Sequence, residues 1–172
     1  MSNFRVKELK KMDIPIKIVQ EFLFRMIQNE YNYGYIPQYH QDIKNIDDYY
    51  LNPERNNFYV ALHNETNQVI GTIGVRSYDK DFPLFKGIYY PEITASIWRV
   101  FVDKPWRRNG VASTLVGIAE EFCQNKGYRN IYLHTHKTVH GSLDFWLSKD
   151  YSVVEDTENE LRTVHMEKSL IV

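Results

Sequence analysis

Val100-Phe101-Val102-Asp103-Lys104-Pro105-Trp106-Arg107-Arg108-Asn109-Gly110-Val111-Ala112 marks a change of period in the chain. Thr94 to Val102, which leads into it, reads as a strong strand. After it, Val111, Leu115, Ile118, Ala119 and Phe122 recur at helical spacing and predict a helix from Gly110 to Lys126, with Gly127 placed to end it. A strand therefore ends, a short turn follows, and a helix begins at a glycine. The first amides of a helix have no internal partner and lie at the positive end of its dipole. Such a terminus takes a pyrophosphate, and Gly110 lets the backbone come close to it. Arg107 and Arg108 add charge where phosphates would lie. Asn109, Val111, Ala112 and Ser113 complete the candidate anion site, with the hydroxyls of Ser113 and Thr114 as further donors. Read alone, a short Gly/Arg pattern is weak evidence, and the segment reads first as a plain strand–helix junction with two solvated arginines.

The neighbouring elements follow from pattern. Phe4 to Glu8 reads as a first strand. Asp13 is the expected N-cap of a helix with Pro15 in its first turn, and Ile18, Val19, Phe22, Leu23, Met26 and Ile27 give it an apolar face as far as about Asn29. Tyr31 to Tyr39 reads as a loop, and Gln41 to Tyr50 as a shorter helix stopped by Pro53. Phe58, Val60 and Leu62 alternate with Tyr59, Ala61 and His63; Val69 to Arg76 returns after the Asn64–Asn67 turn, making a hairpin. Tyr78 to Pro91 is aromatic, broken by Pro83, Gly87 and Pro91, and long enough for a functional loop. Ile131 to Thr135 reads as a strand, Ser142 to Lys149 as a helix, and Tyr151 to Glu155 and Arg162 to Met166 as two final strands. The strand–helix–strand unit from Thr94 to Thr135 implies two parallel strands.

Composition bounds the function. The 172 residues suit a single domain spanning 1–172 with a full core. A net charge of −1 and the absence of a Lys/Arg run argue against nucleic acid as partner. No apolar run approaches the roughly 20 residues that span a bilayer, so no membrane role is expected. The lone cysteine, Cys123, rules out an internal disulfide framework and reads as packing on the motif helix. The N-terminus shows no signal-peptide pattern, and a reducing cytoplasm is the expected compartment.

The motif segment resembles motif A of the GNAT N-acetyltransferase superfamily, Gln/Arg-x-x-Gly-x-Gly/Ala after an apolar strand, with Arg107, Gly110 and Ala112 at the three defined positions. The order of elements is similar to that family's over nearly the whole chain. The resemblance implies a mixed α/β fold (α+β in composition) with a mostly antiparallel, splayed sheet flanked by helices. It implies acetyl-CoA as co-substrate, bound where the fourth and fifth strands part. There the backbone of Val100, Phe101 and Val102 would meet the pantetheine arm, and one amide would face the thioester oxygen.

Two departures from the family stand out. Where many relatives carry a tyrosine that protonates the departing thiolate, this chain has Trp146, which cannot act as an acid near neutral pH. Trp146 is read as a wall of the cofactor cleft, with core packing as the alternative. Where many relatives place a glutamate early in the fourth strand, Ser96 stands here, and Glu92 just upstream is the candidate general base. A solvated loop carboxylate is the plain alternative for Glu92. His134 and His136 face one side of their strand and His140 follows, but they lack a convincing set of further ligands, so no metal is expected.

The resulting expectation is an acyltransferase that moves acetyl directly onto an amine, with a small-molecule amine as acceptor. A protein lysine or N-terminus as acceptor, and a non-catalytic acyl-CoA sensor, are the other readings. The acceptor would meet the first two helices, the Tyr31–Tyr39 loop and the Tyr78–Pro91 loop. The aromatics of the last loop serve equally well to close the core or a homodimer contact.

Overall fold

β2 (Asn57–His63) and β3 (Val69–Ser77) pair antiparallel across the Asn64–Asn67 turn, where Asn67 takes the left-handed conformation (φ 58°) that turn residues tolerate. The computed structural model describes residues 3–12, 14–80 and 82–171. Asp13, the expected N-cap, lies outside the described residues. β1 (Phe4–Glu8) adds antiparallel to β2. With β4 (Thr94–Val102), β5 (Asn130–His136), β6 (Ser152–Asp156) and β7 (Thr163–Ser169), the hydrogen-bonded strand order is β1-β2-β3-β4-β5-β7-β6. β4 and β5 are parallel, while β5–β7 and β6–β7 are antiparallel. The mixed, mostly antiparallel sheet with helices is the architecture expected from the sequence.

The chain forms two compact units, Met1–Arg76 with Trp98–Phe122, and Ser77–Ile97 with Cys123–Val172. The core of the first joins α1 (Ile16–Tyr31), through Val19, Phe22, Leu23, Met26 and Ile27, to Phe58, Val60, Leu62 and Phe101 of the strands. Ile18, expected on this face, is instead exposed. α1 ends where Asn32 turns left-handed.

The second helix differs from expectation. α2 is Pro37–Lys44, and a π-helical turn, Asp47–Leu51, follows it. Pro37 starts the helix because a proline ring suits the first helical position and holds Ile36 extended before it. The Ile36 amide donates to His40 Nδ1 at 2.9 Å, which draws the end of the expected loop into the helix.

In the second unit, α4 (Ser142–Ser148) leads to the β6–β7 hairpin. Tyr78, Phe85 and Tyr89 of the long loop bury against Tyr132 of β5, with Phe82 and Val154 alongside. These aromatics close a core, which was one of the two roles open to them. Among the described residues of the segment, Leu84, Ile88 and Tyr90 stand out as large exposed apolar groups.

Candidate active site

The end of β4, the turn after it and the start of α3 (Val111–Asn125) all lie in the first unit. Asp103 makes the exit: its amide donates to Ile70 O of β3 at 2.8 Å, and its carboxylate accepts from Lys104 N at 3.0 Å. A 3₁₀ turn, Lys104–Trp106, then leads into Arg107. Arg108 (φ 67°) and Gly110 (φ 80°) are left-handed, and Arg107 to Gly110 are exposed. The first bond of α3 runs from Thr114 N to Gly110 O at 3.0 Å. Among the described residues, no acceptor meets the amides of residues 108–113. That run of open donors at a helix start is the chemistry a pyrophosphate needs.

Gly71 sets where this helix begins. A Cβ there would stand 2.9 Å from Val111 Cγ1 and 3.2 Å from Leu115 Cδ1, so only glycine lets the first turn of α3 lie this close to β3. At Gly110 an added Cβ meets nothing within 4 Å, so the approach to the amides is clear of protein.

The two arginines differ. Arg107 Nε donates to Val102 O at 3.2 Å, and its Nη2 lies 3.4 Å from Glu30 Oε1. Burial lifts the Glu30 carboxyl above its ordinary range, and the Arg107 charge offsets this only in part. Arg108 has no ion pair or side-chain hydrogen bond among the described residues. Thr114 Oγ1 donates to Gly110 O at 2.8 Å, so that hydroxyl is already committed within the helix, whereas Ser113 is exposed. Asn109 Nδ2 donates to Arg107 O at 3.0 Å and braces the turn.

Residues 21–149 match the family model described as the acetyltransferase (GNAT) family. The chain belongs to this family. It is an acetyltransferase, and acetyl-CoA is the co-substrate of GNAT enzymes. Several solved structures share the fold. An acetyltransferase of the GNAT family from Staphylococcus aureus Mu50 aligns with a TM-score of 0.76 at 20% identity, covering 98% of this chain and 99% of its own. An acetyltransferase from Streptococcus agalactiae 2603 gives 0.74 at 21% identity, over 99% of this chain and 100% of its own. An aminoglycoside 6'-N-acetyltransferase complexed with coenzyme A gives 0.71 at 15% identity, over 98% of each chain. No curated protein matches in sequence.

In this GNAT chain the pairing of β4 with β5 is short. Pairing of β4 with β5 runs from Thr94↔Asn130 to Ser96↔Tyr132, and no further pair forms among the described residues. Three residues beyond Ser96, Arg99 turns left-handed (φ 52°), which is incompatible with a regular ladder. Phe101 points into the core while Val100 and Val102 are half-buried.

The remaining expected residues lie in the second unit. Trp146 of α4 is buried, edge-on to Tyr151 at 5.1 Å between ring centres. Glu92 is exposed in the turn before β4. His134 and His136 share a face, with ring centres 5.7 Å apart, and His140 is exposed. Among the described residues, no group of three or more His, Cys, Asp or Glu is arranged to hold a metal ion. No helix among them is long and apolar enough to cross a membrane.

Two polar groupings escaped the sequence reading. Tyr132 OH lies 2.6 Å from His165 Nδ1. Burial raises the Tyr132 phenol and lowers His165, so both are neutral near pH 7. In the first unit, Asp42 accepts from Arg99 Nε at 3.0 Å, Arg99 Nη2 at 2.8 Å and Tyr50 OH at 2.5 Å. Burial pushes the Asp42 carboxyl up, but these bonds and the Arg99 and Arg76 charges outweigh it and hold it below its ordinary value. A run of Tyr132, His134 and His136 on one strand face was the available signal for the first grouping; the second left none.

Proposed function

We propose that the chain is an N-acetyltransferase acting on the amine of a small molecule, with residues 1–172 working as one GNAT-like domain. The observation that carries this reading is the run of open amides over residues 108–113 beside the free Arg108. In it the donor's pyrophosphate lies on the Arg108–Ser113 backbone, and its pantetheine arm follows the Val100–Val102 backbone. The amine nitrogen attacks the thioester carbonyl carbon, a C–N bond forms, and the C–S bond breaks to release the CoA thiolate. The amine's proton passes to Glu92, directly or through water. A backbone amide of β4 carries the developing oxyanion. Trp146 lines the cofactor cleft and takes no part in proton transfer, since an indole is no acid near neutral pH.

A small acceptor is favoured by the chain's near-neutral charge, which gives no long-range steering toward a strongly charged partner. One structural neighbour, by its name, acts on aminoglycosides, which are small amines. A cytoplasmic setting belongs to the same reading and suits a chain whose lone cysteine is a buried free thiol.

The test pairs two measurements on the purified protein: CoA binding by calorimetry and CoA release from acetyl-CoA across a panel of small amines and peptides. Binding with release on small amines supports the proposal. Release only with peptides moves the acceptor to protein. Binding with no release on any amine leaves a sensor in its place.

A further inference from the structure

Arg99 sits in the middle of β4 with φ 52°. Outside glycine, a left-handed residue inside a strand is strained and persists only where its surroundings over-determine it. Here the surroundings are specific. Thr72 Oγ1 of β3 donates to Arg99 O at 2.8 Å and fixes the peptide at the kink. The guanidinium forks onto Asp42 of α2 through Nε and Nη2, and Nη2 also donates to Tyr39 O at 2.7 Å. Asp42 is itself held by Tyr50 OH and lies 3.9 Å from Arg76 Nη1. Arg76 in turn lies over the Trp98 ring, 4.2 Å from its centre, and Trp98 immediately precedes the kink. Backbone and side chains on both sides of residue 99 are thus clamped from α2 and β3.

The residues that follow the kink are Val100, Phe101 and Val102. One peptide in the left-handed region re-aims the amides and carbonyls after it, as β-bulges do next to functional sites. We infer that Arg99 is a positioning residue for acetyl transfer: its fork on Asp42 holds the left-handed kink of β4 and so aims the Val100–Val102 backbone at the donor. The inference rests on the reading that this backbone meets the pantetheine arm of acetyl-CoA.

A buried ion pair that merely stabilises the fold would leave the same contacts, so the test separates backbone from charge. Arg99→Gly and Arg99→Ala remove the same guanidinium and leave the same Asp42 behind. Glycine keeps φ near 50° without penalty, while alanine relaxes toward an extended strand. The expected result is a donor KM raised about ten-fold in Arg99→Ala, with kcat at saturating donor and the acceptor KM much less affected. In Arg99→Gly the donor KM returns to within about three-fold of wild type, although both variants melt at similarly reduced temperatures. Should Arg99→Ala not fold, Asp42→Asn, which keeps the volume and loses the charged fork, is expected to raise the donor KM in the same way. Equal donor KM values for the glycine and alanine variants, or an unchanged value in Asp42→Asn, would overturn the positioning role alone. A wild-type protein that binds no CoA in calorimetry would overturn the donor reading beneath it.

Discussion

Arg107 reaches back to Glu30, Nη2 to Oε1 at 3.4 Å, so the first arginine of the loop is engaged within the protein while its neighbour Arg108 is not. Adjacent residues of one type therefore have separate work. Arg107 ties the loop to α1 and to Val102 O, while the Arg108 charge meets no ion-pair partner among the described residues. Arg108→Ala is expected to weaken CoA binding about five-fold, the scale of one exposed charge contact of about 1 kcal/mol, and to flatten its salt dependence. Arg107→Ala is expected to lower the melting temperature and leave the salt dependence close to wild type. Calorimetric titrations at two ionic strengths check this. A larger salt effect for Arg107 would reverse the assignment.

Two glycines support the same site by different means. Gly71 is a matter of space, since a methyl there overlaps Val111 at 2.9 Å. Gly71→Ala should shift the start of α3, cost about 1–3 kcal/mol and lower the melting temperature by several degrees. Gly110 is a matter of conformation: nothing fills the space around it, but φ is 80°. Gly110→Ala should cost about 1–2 kcal/mol of local strain and weaken CoA binding about ten-fold. Thermal melts alongside CoA titrations distinguish them. Stability should dominate the first variant and affinity the second; the opposite ranking would contradict both roles.

What could be read in advance was what is local. The strand-to-helix switch at Val102–Val111, the glycine at its pivot and the hairpin at Asn64–Asn67 are each encoded within a few neighbouring residues. Pro37 was ambiguous because the same ring that breaks a helix also starts one. The fate of Phe85 and Tyr89 depended on which strand lay beneath them, and aromatic rings suit a core as well as a ligand face. The Asp42–Arg99 fork joins residues 57 positions apart through a left-handed arginine, which no propensity anticipates. The Tyr132–His165 bond depends on the register that sets His134 opposite His165, and register is not written in either strand alone.

Acid should loosen the fold before carboxylates matter. Burial depresses His40, His136 and His165 below the ordinary histidine value of 6.5. A depressed folded-state value means the unfolded chain binds more protons in the window between the two values. The stability these groups contribute is therefore complete above about pH 6.5 and is lost as pH falls through the folded values. Asp42, also depressed, contributes above its ordinary 3.8 and is lost only below that. Melting temperature should decline from pH 7 to pH 5, and His165→Gln should reduce that slope. A flat profile across this range would show that the three imidazoles titrate freely.

Trp146 offers a clean separation of packing from chemistry. Its ring is buried edge-on to Tyr151, and the Tyr151 amide donates to Trp146 O at 3.2 Å. Trp146→Phe keeps an aromatic ring but loses volume, and should cost about 1–3 kcal/mol of stability. Turnover at saturating acetyl-CoA should be largely retained, with any kinetic loss confined to the donor KM. A collapse of turnover in a folded variant would give the indole a direct part in the reaction.

Glu92 is the remaining question of proton transfer. The attacking amine must be neutral, and its conjugate acid predominates at low pH, so a base matters most there. Glu92 is exposed in the turn before β4. Glu92→Gln preserves size and hydrogen bonding while removing the base. Turnover should fall most below neutral pH and converge on wild type as the pH approaches the acceptor's own pKa. The measurement is kcat and kcat/KM for one amine acceptor over the full pH range, with the donor saturating. A variant that matches wild type at every pH would leave the proton to solvent or to a β5 histidine. Of those, His134 would be tested next, because His136 is held low by burial and by His165 beside it.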